Sequence, residues 1–597
     1  ALTLVRTGQM SIGEANADGG VAEIVAYDTE NQKAYVVDGQ DGVLVKMDLL
    51  ADGSLADPEE IQVKDLIDGF AYGDMTSVSV DPATGNVAVA LQNADFAAPG
   101  RVAVLDSRGN LLDSYTVGAQ PDMLTYTKDG GRILTANEGE PREGLGGGAA
   151  DPAGSVSVID VQAGIVKTAG FESFTAEELL AEGVLLGKAD GQVIPPSLDL
   201  EPEYIAVNGE GTKAYVTLQE ANAIGVLDLE TASFTAVKGL GFVDYSREEN
   251  AADLIEDNAY APKTYENTLG VGMRDGTGLY EENGQTYLLT ANEGDAREWG
   301  DYENTDKTTV TATDGTEAEK VETLLPEYVA GLEENTHYLL GGRSISVFDE
   351  NLNLVYDSGN DFEEKTAGYL GEWFNCSNDD LERDSRSRKK GPEAESITQG
   401  RVGNNTYAFV ALERVGGVMV YDITDPDAIT YVNYINTRDF SGEIAGDVAP
   451  EGLCFVSAND SASGKPVLLA ACEVSGTVAA YTMGGAAAEV PAPEDAVILY
   501  TNDVHCAMDG YSSLAAYRQQ MLEAGYDTVT VDVGDAIQGE AVGSLTEGAA
   551  LVDLMNTVPY DFAVPGNHEF DYTLETFLDL ARNQAQYEYL SANFVDL

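Results

Sequence analysis

Basic residues are scarce in this chain. Its 597 residues include 32 Lys plus Arg against 103 Asp plus Glu, a formal charge of -71. A field of that sign repels phosphate backbones and argues against a nucleic-acid polymer as partner, while it attracts divalent cations. It is also the field of a solvated, self-repelling surface. Cysteine is scarce too: Cys376, Cys454, Cys472 and Cys506 are too few and too irregularly spaced for a disulfide scaffold or a zinc knuckle, so free thiols are expected. No run of about 18 apolar residues exists, so the sequence offers no transmembrane helix. The chain opens at Ala1 with neither Met nor a signal-like apolar segment, as expected of a processed, exported protein. Histidine occurs three times, at 337, 505 and 568, which makes each one conspicuous.

The length exceeds what one hydrophobic core serves, so two or more domains are expected. The sharpest composition shift is GGAAAEVPAPEDA, Gly484 to Ala496, which reads as a linker between residues 1–484 and 497–597. The first region repeats itself roughly seven times. In AEIVAYDTENQKAYVVDGQDGVLVKMDL, and in its later echoes, alternating apolar and polar runs break at Gly, Asp or Asn turns and end in a V-x-D strand. Units of three or four antiparallel strands in series predict a mainly β fold, a seven-bladed β-propeller. The opening LTLVRTGQM lacks a repeat of its own and is expected to complete the last blade.

After the linker the period changes. Strands (AVILYTND, DTVTVDVGD, DFAVPGNHE) alternate with helices (SSLAAYRQQMLEAG, TEGAALVDLMNTV, TLETFLDLARNQ), which predicts an α/β domain with a parallel sheet. Ligands in such sheets gather beyond the carboxyl ends of the strands. Asp503 and His505, then Asp535, then Asn567, His568 and Asp571 stand just past three successive strand ends. Carboxylate, imidazole and amide oxygen at one sheet edge suit a hard-to-borderline divalent metal.

The motifs NDVH, GDAIQG and GNHEFD resemble the first three of the calcineurin-like metallophosphoesterases, in the 5'-nucleotidase and 2',3'-cyclic phosphodiesterase branch. The resemblance implies a dinuclear centre of Zn, Mn or Mg that hydrolyses a nucleotide or other phosphoester. Asp503 and His505 would bind the first metal, Asp535 would bridge, and Asn567 would bind the second. His568 would stabilise the transition state or protonate the leaving group, oriented by Asp571. The family takes further histidines from later loops, so the expectation is a partial domain with half a site and little activity alone.

The order AEIVAYD, ANEGEPRE, ANEGDAREW, DSRSRKKGPEAE, FVALERVGGVMVYDI, GDVAPEGL and EVSGTVAAY resembles the choice-of-anchor I family, which is similar to mesenchyme-specific cell-surface glycoproteins. This implies a secreted or surface-attached bacterial protein, any attachment lying outside this chain. In the repeats, Asp122 opens one strand and Glu138 ends its partner. Glu203 with Glu220, Glu395 with Glu413, and Glu451 with Glu473 align with that pair. Together with Glu293 these carboxylates are expected at one propeller mouth, where Arg142, Arg297 and Arg414 follow closely enough to pair or to hold an anion. Such a mouth suits Ca²⁺ or an anionic ligand; the competing reading is a salt-bridged rim, and a non-enzymatic binding protein is the alternative function. The run Arg386 to Lys390 is expected to be a solvated loop.

Overall fold

The structure is a computed structural model that describes residues 2–145, 148–484, 496–508, 510–523 and 526–591. The chain divides into two compact units, Ala1–Ala486 and Ala487–Leu597. Most of the expected linker, residues 485–495, lies outside the described residues.

The first unit is a β-propeller. Among the described residues it contains seven four-stranded antiparallel sheets. Their innermost strands are Val25–Asp28, Tyr72–Val80, Pro121–Tyr126, Pro202–Val207, Thr277–Glu282, Ala394–Val402 and Pro450–Val456, and each contacts the next in a closed cycle. Turn chemistry explains the repetition: Asn283 and Gly284, with φ of 51° and 76°, form the two-residue loop that joins Glu282 to its partner Gln285. The ring closes through Thr3–Ser11, which pairs antiparallel with Thr477–Gly484 in the sheet of Pro450–Val456, as the unpaired opening segment predicts. Leu2 and Leu4 are buried there beside Tyr481 and Met483, worth about 2 kcal/mol for each leucine.

An elaboration was not foreseen. Between the second and third strands of the fifth sheet, Gln285–Ala291 and Ile345–Asp349, the chain contributes to a five-stranded sheet that also uses Phe242–Asp244 and Thr268–Val271. Its strands alternate like the repeats, so pattern alone does not separate them. His337 starts one of them, His337–Leu340, half-buried and with a pKa lowered by burial.

The second unit has four parallel strands in chain order, Ala496–Thr501, Asp527–Asp532, Phe562–Ala563 and Glu588–Tyr589. The helix Tyr511–Glu523 follows the first strand; Ser512 lies inside its first turn and does not cap it. The next expected helix forms as Ala549–Thr557, and a short helix that was not expected, Ala541–Thr546, precedes it across Gly548 at φ 87°. Ile537, Leu551, Val552, Met555, Ala563 and Phe577 form the core beneath the strand ends.

Candidate metal centre and axial carboxylates

In the second unit the loops after three strands converge. Asp503, His505 and Asp535 all adopt left-handed backbone, with φ of 51°, 47° and 59°. Such conformations cost on the order of 1–3 kcal/mol each and persist where surroundings enforce them. The surroundings here are backbone bonds between loops: the N–H of Asp503 donates to Gly534 O at 3.1 Å, His505 to Asp535 O at 3.0 Å, and Cys506 to Ala536 O at 2.9 Å. Gly539 is required beside them, because at φ 138° a Cβ would lie 2.0 Å from His505 O.

Ligand atoms of His505, Asp535 and His568 lie within 4.8 Å of one another. Each imidazole uses Nδ1 for orientation: His505 Nδ1 donates to Gln538 O at 3.1 Å and His568 Nδ1 to Asp571 Oδ2 at 2.8 Å. Nε2 is then the ring nitrogen with a lone pair for the site. The Asp571 hydrogen bond raises the His568 pKa. Asp503 is exposed, its Oδ1 3.8 Å from His505 Nε2. Asn567, also exposed, directly precedes the short turn His568–Phe570. Imidazole nitrogen and carboxylate oxygen together fit a borderline divalent metal.

Glu569 was overlooked in the sequence. It is 1% exposed, and its carboxylate accepts N–H bonds from Asp535 at 2.9 Å, Ala536 at 2.9 Å and Gly566 at 2.5 Å. It therefore fastens the second loop to the third. Its place inside GNHEFD was the available signal, but burial cannot be read from one acidic letter.

The axis of the first unit is lined with acid. Asp122, Glu203, Glu395 and Glu451 each occupy an irregularity at the start of an innermost strand, where one or two residues bulge out of register. Glu23 and Asp275 stand at the starts of the first and fifth sheets. A cavity of about 320 Å³ is lined by Glu23, Asp122, Asp275, Glu395 and Glu451, with Thr76 and Tyr204 from the two remaining sheets. Oxygens of Glu138 and Glu203, and of Asp275 and Glu395, lie within 4.8 Å of each other, and Glu473 stands close enough to Glu451 to raise its pKa. Burial, then neighbouring carboxylates, push Glu138, Glu203, Glu395 and Glu451 well above the usual range. The same causes bring Asp122 to about 7.

Three expectations are corrected. Leu218 opposes Pro202 as Asn137 opposes Pro121, so Gln219, and not Glu220, stands where Glu138 does; its Nε2 donates to Glu293 Oε2 at 2.7 Å. Glu220 is nevertheless buried close enough to Glu203 to raise its pKa. The basic run is not simply solvated: Lys390 Nζ lies 3.3 Å from Glu293 Oε1 and 2.8 Å from Glu393 Oε1, and Arg386 also pairs with Glu393. Arg297 holds no outside anion, because it is 2% exposed and paired with Asp199 Oδ1 at 2.9 Å. Arg414 pairs with Glu393 at 3.0 Å and Glu413 at 3.4 Å, whereas Arg142 reaches Glu140 at 3.4 Å and Glu138 only at 4.0 Å. The four cysteines are free.

Fold and site together define a β-propeller followed by an α/β unit of the metallophosphoesterase type. The Choice-of-anchor I domain model matches residues 23–426 and the Calcineurin-like phosphoesterase model matches 496–596. The chain belongs to the choice-of-anchor I family. It is similar to Gigasin-3a of Magallana gigas, 28% identical over 181 residues, covering 27% of this chain and 64% of that protein. It is also similar to the 5'-nucleotidase of Homo sapiens, 32% identical over 113 residues, 16% of this chain and 20% of the relative. The chain thus spans less than two thirds of the first relative and about a fifth of the second. The β-propeller domain of Myceliophteria thermophila Cps50 (Swd1) overlays with TM-score 0.37 and 9% identity, covering 79% of this chain and 99% of that one. Calcineurin-like phosphoesterases and 5'-nucleotidases generally use divalent metals. Among the described residues no helix is long and apolar enough to cross a membrane.

Proposed function

We propose that the chain serves in metal-dependent hydrolysis of phosphoesters, nucleotides being the substrate class, outside the cell and with the propeller as a binding module. The observation that carries this reading is the convergence of His505, Asp535 and His568 at the ends of parallel strands. Asp503, His505, Asp535 and Asn567 would hold the divalent metals, with Asp535 between the two positions because a carboxylate has two oxygens. Bound metals would supply Lewis acidity and an acidified water. His568, with Nδ1 held by Asp571 and its pKa raised by that bond, would in its doubly protonated form give the Nε2 proton to the leaving oxygen. The similarity to 5'-nucleotidases supports the substrate class, and the choice-of-anchor I assignment supports export.

The test is equilibrium binding of Mn²⁺ or Zn²⁺ to the chain and to Asp535→Asn, alongside hydrolysis of AMP and an aryl phosphate. Loss of metal binding in Asp535→Asn is expected. Binding and turnover that both survive Asp535→Asn and His505→Ala would place the chemistry elsewhere.

A further inference from the structure

The axial acid of the propeller is unevenly compensated. On the side of the fifth and sixth sheets, Lys390, Arg386 and Arg414 bind Glu293, Glu393 and Glu413. Three carboxylates on the third and fourth sheets, Asp122, Glu138 and Glu203, also bring oxygens within 4.8 Å of one another. Among the ion pairs of the described residues, their sole cation is Arg142, 4.0 Å from Glu138 Oε2 and held nearer by Glu140 and by Gln92 Oε1 at 3.2 Å. A repeat that merely copied a salt-bridged rim would compensate both sides alike.

A second observation points the same way. The Oε2 atoms of Glu23 and Glu451, which line the axial cavity together with Asp122, are buried and have no hydrogen-bond partner. Buried carboxylate oxygens without donors are costly unless a cation faces them. The donors are all oxygen, with no imidazole or thiolate in the group. Hard cations that take six to eight oxygens suit that set, and the cavity that Asp122 lines leaves room for roughly ten waters to complete a coordination shell.

We propose that the propeller binds a hard divalent cation of the Ca²⁺ class through Asp122, Glu138 and Glu203, beside the axial cavity that Asp122 shares with Glu23 and Glu451, whose carboxylates supply further negative charge. The site is separate from the one in the second unit and does not depend on the reading of that unit. It neutralises the arc that the basic run leaves open, and so closes the electrostatics of the ring.

The experiment uses the full chain carrying Asp535→Asn, so that metal held by the second unit does not count. After treatment with chelator, Ca²⁺ at about 100 times its dissociation constant should raise the Tm of the propeller transition by about 3 °C. Glu203→Gln should abolish that rise and, by removing one repelling carboxylate, raise the Tm in chelator. As a readout that does not depend on the variant folding, Tb³⁺ should luminesce on excitation of tyrosine, with Tyr204 at the cavity wall, and Ca²⁺ should displace it. No Tm shift at millimolar Ca²⁺, a shift that persists in Glu203→Gln, or Tb³⁺ emission insensitive to Ca²⁺ would each overturn the proposal.

Discussion

The backbone N–H of His568 donates to Asp535 Oδ1 at 2.8 Å, so the carboxylate at the end of the second strand is held by the loop after the third. Room for that carboxylate comes from Gly566, where a Cβ would stand 2.3 Å from the same oxygen. Gly566→Ala should displace Asp535 without removing any ligand. A loss of about 10- to 100-fold in metal affinity is expected, the range seen when groups supporting a ligand are altered. Titration of Mn²⁺ into the variant checks this, with circular dichroism to show that the fold is kept.

Glu569 offers a sharper structural test. Replacing it by Ala leaves the N–H groups of Asp535, Ala536 and Gly566 without their acceptor, at about 1–3 kcal/mol for each group that stays buried and unpaired. The thermal transition of the second unit should fall by many degrees while that of the propeller is unchanged. A matched fall in both transitions would show that the two units do not unfold separately.

These two residues mark where sequence reading ends. The alternating repeats, the switch to strand–helix period after Gly484, and the unpaired opening strand carried the architecture, because each is a local pattern that burial enforces. The motif residues were legible because histidine is so rare here and each follows a strand. Glu569 and Gly566 were not, since their roles lie in what they touch across loops. Register was the other blind spot. Counting along the repeat aligned Glu220 with Glu138, and the irregular start of Pro202–Val207 moved Gln219 into that place. The basic run, read as solvated, turned out to be neutralising carboxylates that only the closed ring brings together.

The propeller mouth should show itself in the pH dependence of stability. Burial, then Glu393, raise Glu413 from its ordinary 4.5 to about 8. A raised carboxyl contributes stability that is complete below its unfolded pKa and is lost as pH rises through the folded one. The Tm of the chain in chelator should therefore fall between about pH 4.5 and 8, and Glu413→Gln should flatten that slope. Glu393 runs the other way: burial alone would raise it, but Lys390, Arg386 and Arg414 hold it far below its usual range. Its contribution is present above about 4.5 and disappears only in stronger acid. A Tm that rose from pH 5 to 8 in the parent chain would contradict the assignment for Glu413.

The last expectation separates holding a metal from moving a proton. His568 Nδ1 is committed to Asp571 Oδ2 at 2.8 Å, which fixes the tautomer and turns Nε2 to the same space as His505 and Asp535. If His568 transfers a proton, as proposed, His568→Ala should leave metal binding nearly intact and slow turnover by about 10²- to 10⁴-fold. Asp571→Asn should keep the ring in place yet favour the wrong tautomer, because an amide can donate to Nδ1 where a carboxylate only accepts. Its loss should be smaller and fall on kcat more than on KM. The measurement is metal stoichiometry beside kcat and KM for an aryl phosphate. If His568→Ala instead strips the metal, the residue is a ligand, and the proton must come from another group.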